Sequence, residues 1–175
     1  MADPLFPIQV LTPERVLLDG EARAVVLRSS DGDLTVLDGH TPLITDVVPG
    51  EVRIDQEQGS VRLAVHGGYL QVEKGPAGSD DSERRSGAGT TVTVLAGVAE
   101  LADQIDVARA ERARDEASAR LEELRSAGRG SSGGASSSGG EPGEGAPATD
   151  VEVAEAEAAL RRAEVRLQVA AGPAN

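Results

Sequence analysis

Near Glu100 the spacing of apolar side chains changes, and with it the kind of structure the chain can form. Before that point apolar residues recur at every second position. Val52 and Ile54 alternate with Arg53 and Asp55, and Val61, Leu63 and Val65 with Arg62, Ala64 and His66. Val92 and Val94 alternate with Thr91, Thr93 and Leu95. Successive side chains of a strand point to opposite faces, so this period of two predicts half-buried strands. Turn dipeptides punctuate the pattern at Asp19-Gly20, Asp31-Gly32, Asp38-Gly39, Pro49-Gly50, Gly59-Ser60 and Gly67-Gly68. Many short strands so divided predict an antiparallel sandwich or barrel.

After Glu100 the period is that of a helix. Ala110, Ala113, Ala117, Leu121 and Leu124 recur at spacings of three and four, and so do Val153, Ala156, Leu160, Ala163, Leu167 and Ala170. Between them, Ser126 to Thr149 holds 8 Gly and 6 Ser and no aliphatic side chain larger than Ala apart from two prolines. That is the composition of a flexible linker. The expected fold class is β plus α, an N-terminal antiparallel β-sandwich followed by a C-terminal two-helix hairpin. The sandwich is expected over 1–98, with a loop insert at 75–90. A helical arm is expected over 99–175, with a helix at about 103–125, a linker at 126–149 and a helix at about 150–170. Both apolar stripes are narrow and rich in Ala, which predicts a weakly held helix pair.

Composition removes several function classes. Without cysteine there is no disulfide framework, thiol chemistry or Cys-ligated metal. His40 and His66 are the only histidines, too few for a three-His centre. The net charge of -13 has the wrong sign for a phosphate-backbone binder, so no nucleic-acid partner is expected. The start lacks the features of a signal peptide, and the apolar runs fall far short of the about 20 residues a spanning helix needs. A soluble chain with no direct membrane insertion is expected.

Local sequences add a resemblance. Asp31-Gly32-Asp33-Leu34, Gly39-His40-Thr41-Pro42-Leu43-Ile44-Thr45 and Pro49-Gly50 with Val52-Arg53-Ile54 resemble the epsilon subunit of F-type ATP synthases. So do Val10-Leu11-Thr12-Pro13-Glu14-Arg15, Gly67-Gly68-Tyr69-Leu70-Gln71-Val72 and Val92-Thr93-Val94-Leu95-Ala96. The order of these segments matches over nearly the whole chain. Thr35 and Asp38 depart from the family, which usually has Gly and Pro there.

The resemblance implies a non-catalytic central-stalk subunit with no active site of its own, coupling gamma to the c-ring at the cytoplasmic face of the bacterial plasma membrane. It implies that the end of the sandwich carrying the loop Asp31–Thr45 docks on those partners, with Asp31, Asp33 and His40 at the interface. His66 reads as a solvent-face residue. The arm would contact the alpha and beta subunits when extended and restrain ATP hydrolysis. Ile105-Asp106-x-x-Arg109-Ala110 matches a motif with which some bacterial epsilon subunits bind ATP, and Glu100 belongs to the same site by resemblance. Asp106, Arg109 and Ala110 share one face near a helix start, where backbone N–H groups favour anions. Arg162 and Arg166, four apart on the second helix, are expected to close on the phosphates. No Gly-rich phosphate loop is present, so ATP would be a regulatory ligand, with no cofactor required. The local alternative is that Asp103 or Asp106 caps the helix and Arg109 pairs with it.

Two other classes fit parts of the chain. A cupin-like metalloenzyme shares the short strands but needs two or three histidines and a carboxylate converging in the barrel, and the two histidines here are isolated. A carrier module needs a modified lysine at a hairpin tip, and Lys74 is the single lysine. Neither accounts for the helices.

Overall fold

The computed structural model describes residues 4–74, 89–130 and 150–172. Ten strands come first: β1 (Phe6–Leu11), β2 (Val16–Ala22), β3 (Ala24–Ser29), β4 (Gly32–Leu37), β5 (Leu43–Val47), β6 (Gly50–Gln56), β7 (Gly59–Val65), β8 (Gly68–Glu73), β9 (Thr91–Ala96) and β10 (Ala99–Leu101). They form two five-stranded sheets, ordered β2-β1-β9-β8-β5 and β10-β7-β6-β3-β4. Neighbours run antiparallel except β1 and β9, which run parallel. A 3-10 turn, Ala102–Gln104, precedes helix α1 (Val107–Gly130), and helix α2 (Asp150–Ala171) follows. The fold is the expected antiparallel sandwich followed by two helices.

The period of two is what builds the core. Phe6, Ile8 and Val10 of β1, with Val92 and Val94 of β9 and Leu70 and Val72 of β8, line the inner face of one sheet, and Val52, Ile54, Leu63 and Val65 line that of the other, all of them buried. Each large side chain taken from water contributes about 1.5–3 kcal/mol before the entropy of ordering is set against it. Phe6 is the one aromatic among them, so the space between the sheets is filled almost wholly by branched aliphatics.

Several boundaries differ from those expected. The sandwich does not end at 98: Ala99, Glu100 and Leu101 pair with Val65, Ala64 and Leu63, which satisfies their backbone groups in a sheet. The first helix starts at Val107 rather than about 103, because the 3-10 turn occupies Ala102–Gln104 and the Asp106 carboxylate caps the helix start. At its other end α1 continues through 126–130, where the Ser126 hydroxyl donates to the Glu123 carbonyl at 2.8 Å. Of the expected insert and linker, residues 75–88 and 131–149 lie outside the described residues. His66 is half-buried rather than solvent-facing, its amide donating to the Val98 carbonyl as the chain turns at Gly67.

The chain divides into two compact units, Met1–Ile105 with Gln168–Asn175, and Asp106–Leu167. Within the second, Leu121 and Leu124 of α1 pack on Ala156 of α2, with Val153 and Leu160 alongside. Arg125 pairs with Glu157 at 3.0 Å and Arg120 with Glu152 at 3.8 Å. Both pairs are well exposed, so each contributes at most about 1 kcal/mol. Among the described residues no helix is long and apolar enough to cross a membrane.

Candidate functional site

The residues expected at a docking surface lie along the outermost strand of one sheet. β3 and β4 form a hairpin in which Arg28 faces Asp33 and Ser29 faces Gly32, leaving Ser30-Asp31 as the turn. Gly32 has φ +127°, a conformation side chains with a Cβ rarely adopt, which explains Asp-Gly at this point. Ser29 Oγ accepts from the Asp31 amide and donates to the Gly32 carbonyl, both at 3.2 Å. Asp31 and Asp33 stay exposed, and Arg28 approaches Asp33 to 3.8 Å.

His40 lies at the other end of this strand. Its amide donates to the Leu37 carbonyl at 3.1 Å, and its Nδ1 lies 2.8 Å from the Thr41 carbonyl. A carbonyl only accepts, so Nδ1 carries the proton and Nε2 is left for another partner. The segment Asp31–Thr45 is therefore not one loop. β4 runs through it, and its five steps from Gly32 to Leu37 span about 17 Å. β4 pairs only with β3 and is an edge strand, with Asp33, Thr35 and Leu37 exposed in alternation. The acidic pair and the imidazole flank an open sheet edge, and the structure does not bring them together.

The residues expected around a nucleotide are spread over both units. Glu100 sits on β10 and Ile105 is buried just before the second unit begins. Asp106 opens α1: its Oδ1 accepts from the Arg109 amide at 2.9 Å, and its carbonyl accepts from the Ala110 amide at 2.9 Å. This is the local capping role. Ala110 is buried and the Arg109 side chain is exposed. On α2, Arg162 is exposed and Arg166 half-buried. One carboxylate oxygen of Asp106 is thus committed to the helix start, which leaves the other to a ligand.

The comparisons bear on the whole chain. The model of the ATP synthase delta/epsilon chain β-sandwich domain matches residues 5–76. The ATP synthase epsilon chain of Symbiobacterium thermophilum is 36% identical over 97% of this chain and 94% of its own length. The epsilon chain of Desulforudis audaxviator is 41% identical over 69% of this chain and 77% of its own. The chain belongs to the ATP synthase epsilon chain family. A chain of the cryo-EM structure of Euglena gracilis mitochondrial ATP synthase shares the fold, with a TM-score of 0.63 at 18% identity over 98% of this chain and 83% of that one.

Four side chains of this epsilon-family sandwich, Asp46, Thr90, Arg62 and Glu51, are marked by nothing in their spacing. Asp46 on β5 accepts from the Ser30 hydroxyl at 2.7 Å and the Ser30 amide at 3.2 Å, fixing the β3–β4 turn to the opposite sheet. Those hydrogen bonds hold its carboxyl below the usual carboxylate range, with burial opposing them. Thr90 is buried, and its Oγ1 accepts from the Gly39 amide at 2.7 Å, tying the start of β9 to the crossover that carries His40. Arg62 donates from Nε and Nη2 to both oxygens of Glu51 at 2.8 Å. The first two support the ends of the β4 edge.

Proposed function

We propose that this chain is a non-catalytic central-stalk subunit of a bacterial ATP synthase, joining gamma to the c-ring at the cytoplasmic face of the plasma membrane. The observation that carries this reading is the span of the match. Identity to epsilon chains runs through the sandwich and both helices, covering 97% of this chain and 94% of a relative. The open edge of β4, with Asp33 at one end and His40 at the other, gives the polar loops of a ring a straight row of exposed groups to meet. Such rims act by hydrogen bonds and complementarity more than by buried area.

The two helices form the regulatory arm in this reading. Their small contact of Leu121, Leu124 and Ala156, with two exposed ion pairs, is suited to a pair that opens. When extended it would meet the alpha and beta subunits and restrain hydrolysis. ATP is the regulatory ligand, engaged by Arg109, Arg162 and Arg166 together with the second carboxylate oxygen of Asp106. The test is reconstitution of the complex from the source organism after removal of this chain. Restored ATP-driven proton pumping with the full chain supports the assignment, and failure to restore it rejects the assignment.

A further inference from the structure

Ala64 of β7 is fully covered although it stands outside the core between the sheets. Its neighbours Leu63 and Val65 point into that core, so Ala64 and Arg62 share the outer face of the sheet β10-β7-β6-β3-β4. Register sets Glu51 of β6 on one side of Ala64 and Glu100 of β10 on the other. An outer-face alanine loses its exposure only where another element lies over it. The end of α2 reaches this face. Gln168 onward belongs to the same compact unit as the sandwich, and Val169 is fully buried. Gly172 sits against the guanidinium of Arg62, with Nη1 3.6 Å from where a Cβ on the glycine would be.

A helix ends in carbonyls that have no donor inside it, at the negative end of its dipole. α2 carries Asp150 and Glu152 in its first turn, as the dipole favours, but no basic side chain in its last. Gly172, at φ +84°, turns the chain out of the helix, and its amide donates to the Val169 carbonyl at 3.4 Å. Arg62 brings the missing cation from the sandwich. Its Nε and Nη2 are engaged by the two Glu51 oxygens at 2.8 Å, which fixes the plane of the guanidinium and turns Nη1 toward Gly172. Arg53, opposite Arg62 in the register, is drawn instead to Asp55 at 3.3 Å. The Arg62 side chain is only 16% exposed, so salt screens its charge weakly.

We propose that Arg62, aimed by Glu51, is a latch that clasps the C-terminal end of α2 and restrains release of the arm. The inference rests on the regulatory reading of the two helices and deepens it by naming the contact whose opening precedes extension. The planar fork matters as much as the charge, since one edge grips Glu51 while the remaining nitrogen faces the helix end. Glu51 is a positioning residue: without it Arg62 keeps its charge and loses its direction.

Amide hydrogen exchange of the full chain reads the latch directly, and melting temperature verifies that each variant folds. Arg62→Gln should speed exchange in Gln168–Ala171 about tenfold, and Arg62→Lys, which keeps the charge without the fork, by less. Exchange in Tyr69–Val72 of the other sheet should stay at the wild-type rate. Arg62→Lys also serves if Arg62→Gln does not fold. Wild-type exchange in the last turn of both folded variants overturns the latch, and so does acceleration that spreads equally through Tyr69–Val72. Each variant is then returned to the source complex depleted of this chain, where a released arm should restrain ATP hydrolysis more than the wild type does. Faster exchange in the last turn with unchanged hydrolysis supports the latch and rejects the regulatory reading of the arm instead.

Discussion

Asp46 on β5 holds Ser30 in the β3–β4 turn through both its hydroxyl, at 2.7 Å, and its amide, at 3.2 Å. The two residues belong to different sheets, so one carboxylate fixes where the edge strand begins. Its lowered folded-state pKa, owed first to the Ser30 hydroxyl, gives the sign of the pH effect. The stabilisation is present above the unfolded carboxylate value and is lost as pH falls through the lower folded one. Asp46→Ala should lower the melting temperature at pH 7, and the gap from wild type should close on acidification below about pH 4. A gap that persists unchanged at pH 2 rejects the role of the ionised carboxylate.

The Glu51–Arg62 pair behaves in the same direction with more at stake, since both side chains are largely covered. The Arg62 hydrogen bonds hold Glu51 low, against the opposing effect of burial, and Glu51 holds Arg62 high. The Glu51 contribution vanishes as pH falls through its depressed value, and the Arg62 contribution is lost only in strong alkali. Glu51→Gln should cost about 1–3 kcal/mol at pH 7. Urea unfolding at pH 7 and pH 2.5 checks it, with a much smaller difference at the lower pH.

Thr90→Val keeps the shape of the side chain and removes the acceptor of the Gly39 amide. An amide left without its partner in a covered position costs about 1–3 kcal/mol. Thr90→Ser should cost less, because it retains the hydroxyl. Equal stability of the Val and Ser variants in thermal melts counts against the tie between β9 and the His40 crossover.

Gly68 has no room for a side chain. A Cβ there would overlap the Leu95 carbonyl oxygen and crowd the Ala96 Cα. Both are backbone atoms of the paired strand and cannot swing aside, so Gly68→Ala should cost about 2–4 kcal/mol. Loss of amide protection in Tyr69–Val72 and Val92–Leu95 would report the separation of β8 from β9.

Asp106 and Arg109 allow capping and nucleotide binding to be told apart. Asp106→Ala removes the bond to the Arg109 amide and should cost about 1 kcal/mol of helix stability. Arg109→Ala leaves that bond in place, so helix content should not change. Under the proposed regulatory role it should still weaken ATP binding about tenfold in calorimetry. Unchanged affinity in Arg109→Ala leaves Asp106 as a cap and nothing more.

What the sequence revealed depended on side-chain alternation. Val52 and Ile54, Leu63 and Val65, and Val92 and Val94 are buried as their period of two requires. β4 was hidden because only Leu34 and Val36 of Gly32–Leu37 face inward, and an edge strand between two turn dipeptides looks like loop. β10 was hidden by its three-residue length and its place at the change of period. Of the candidate docking residues, Asp31 and Asp33 share a hairpin, but their relation to His40 depends on a strand the spacing did not show. Asp46, Thr90 and the Glu51–Arg62 pair depend on which strands become neighbours, and that is information about topology rather than about spacing.

The parallel pairing of β1 with β9 has a consequence for synthesis. Ile8 and Val92 are hydrogen-bonded neighbours more than eighty positions apart. Until β9 leaves the ribosome, β1 has β2 on one side and an unpaired edge on the other, with Phe6, Ile8 and Val10 uncovered. Closing so long a segment before its contacts form is slow, on the order of milliseconds to seconds for folds of this kind. The newly made chain therefore passes through an interval in which β1, an interior strand of the finished sheet, is open to association with other chains.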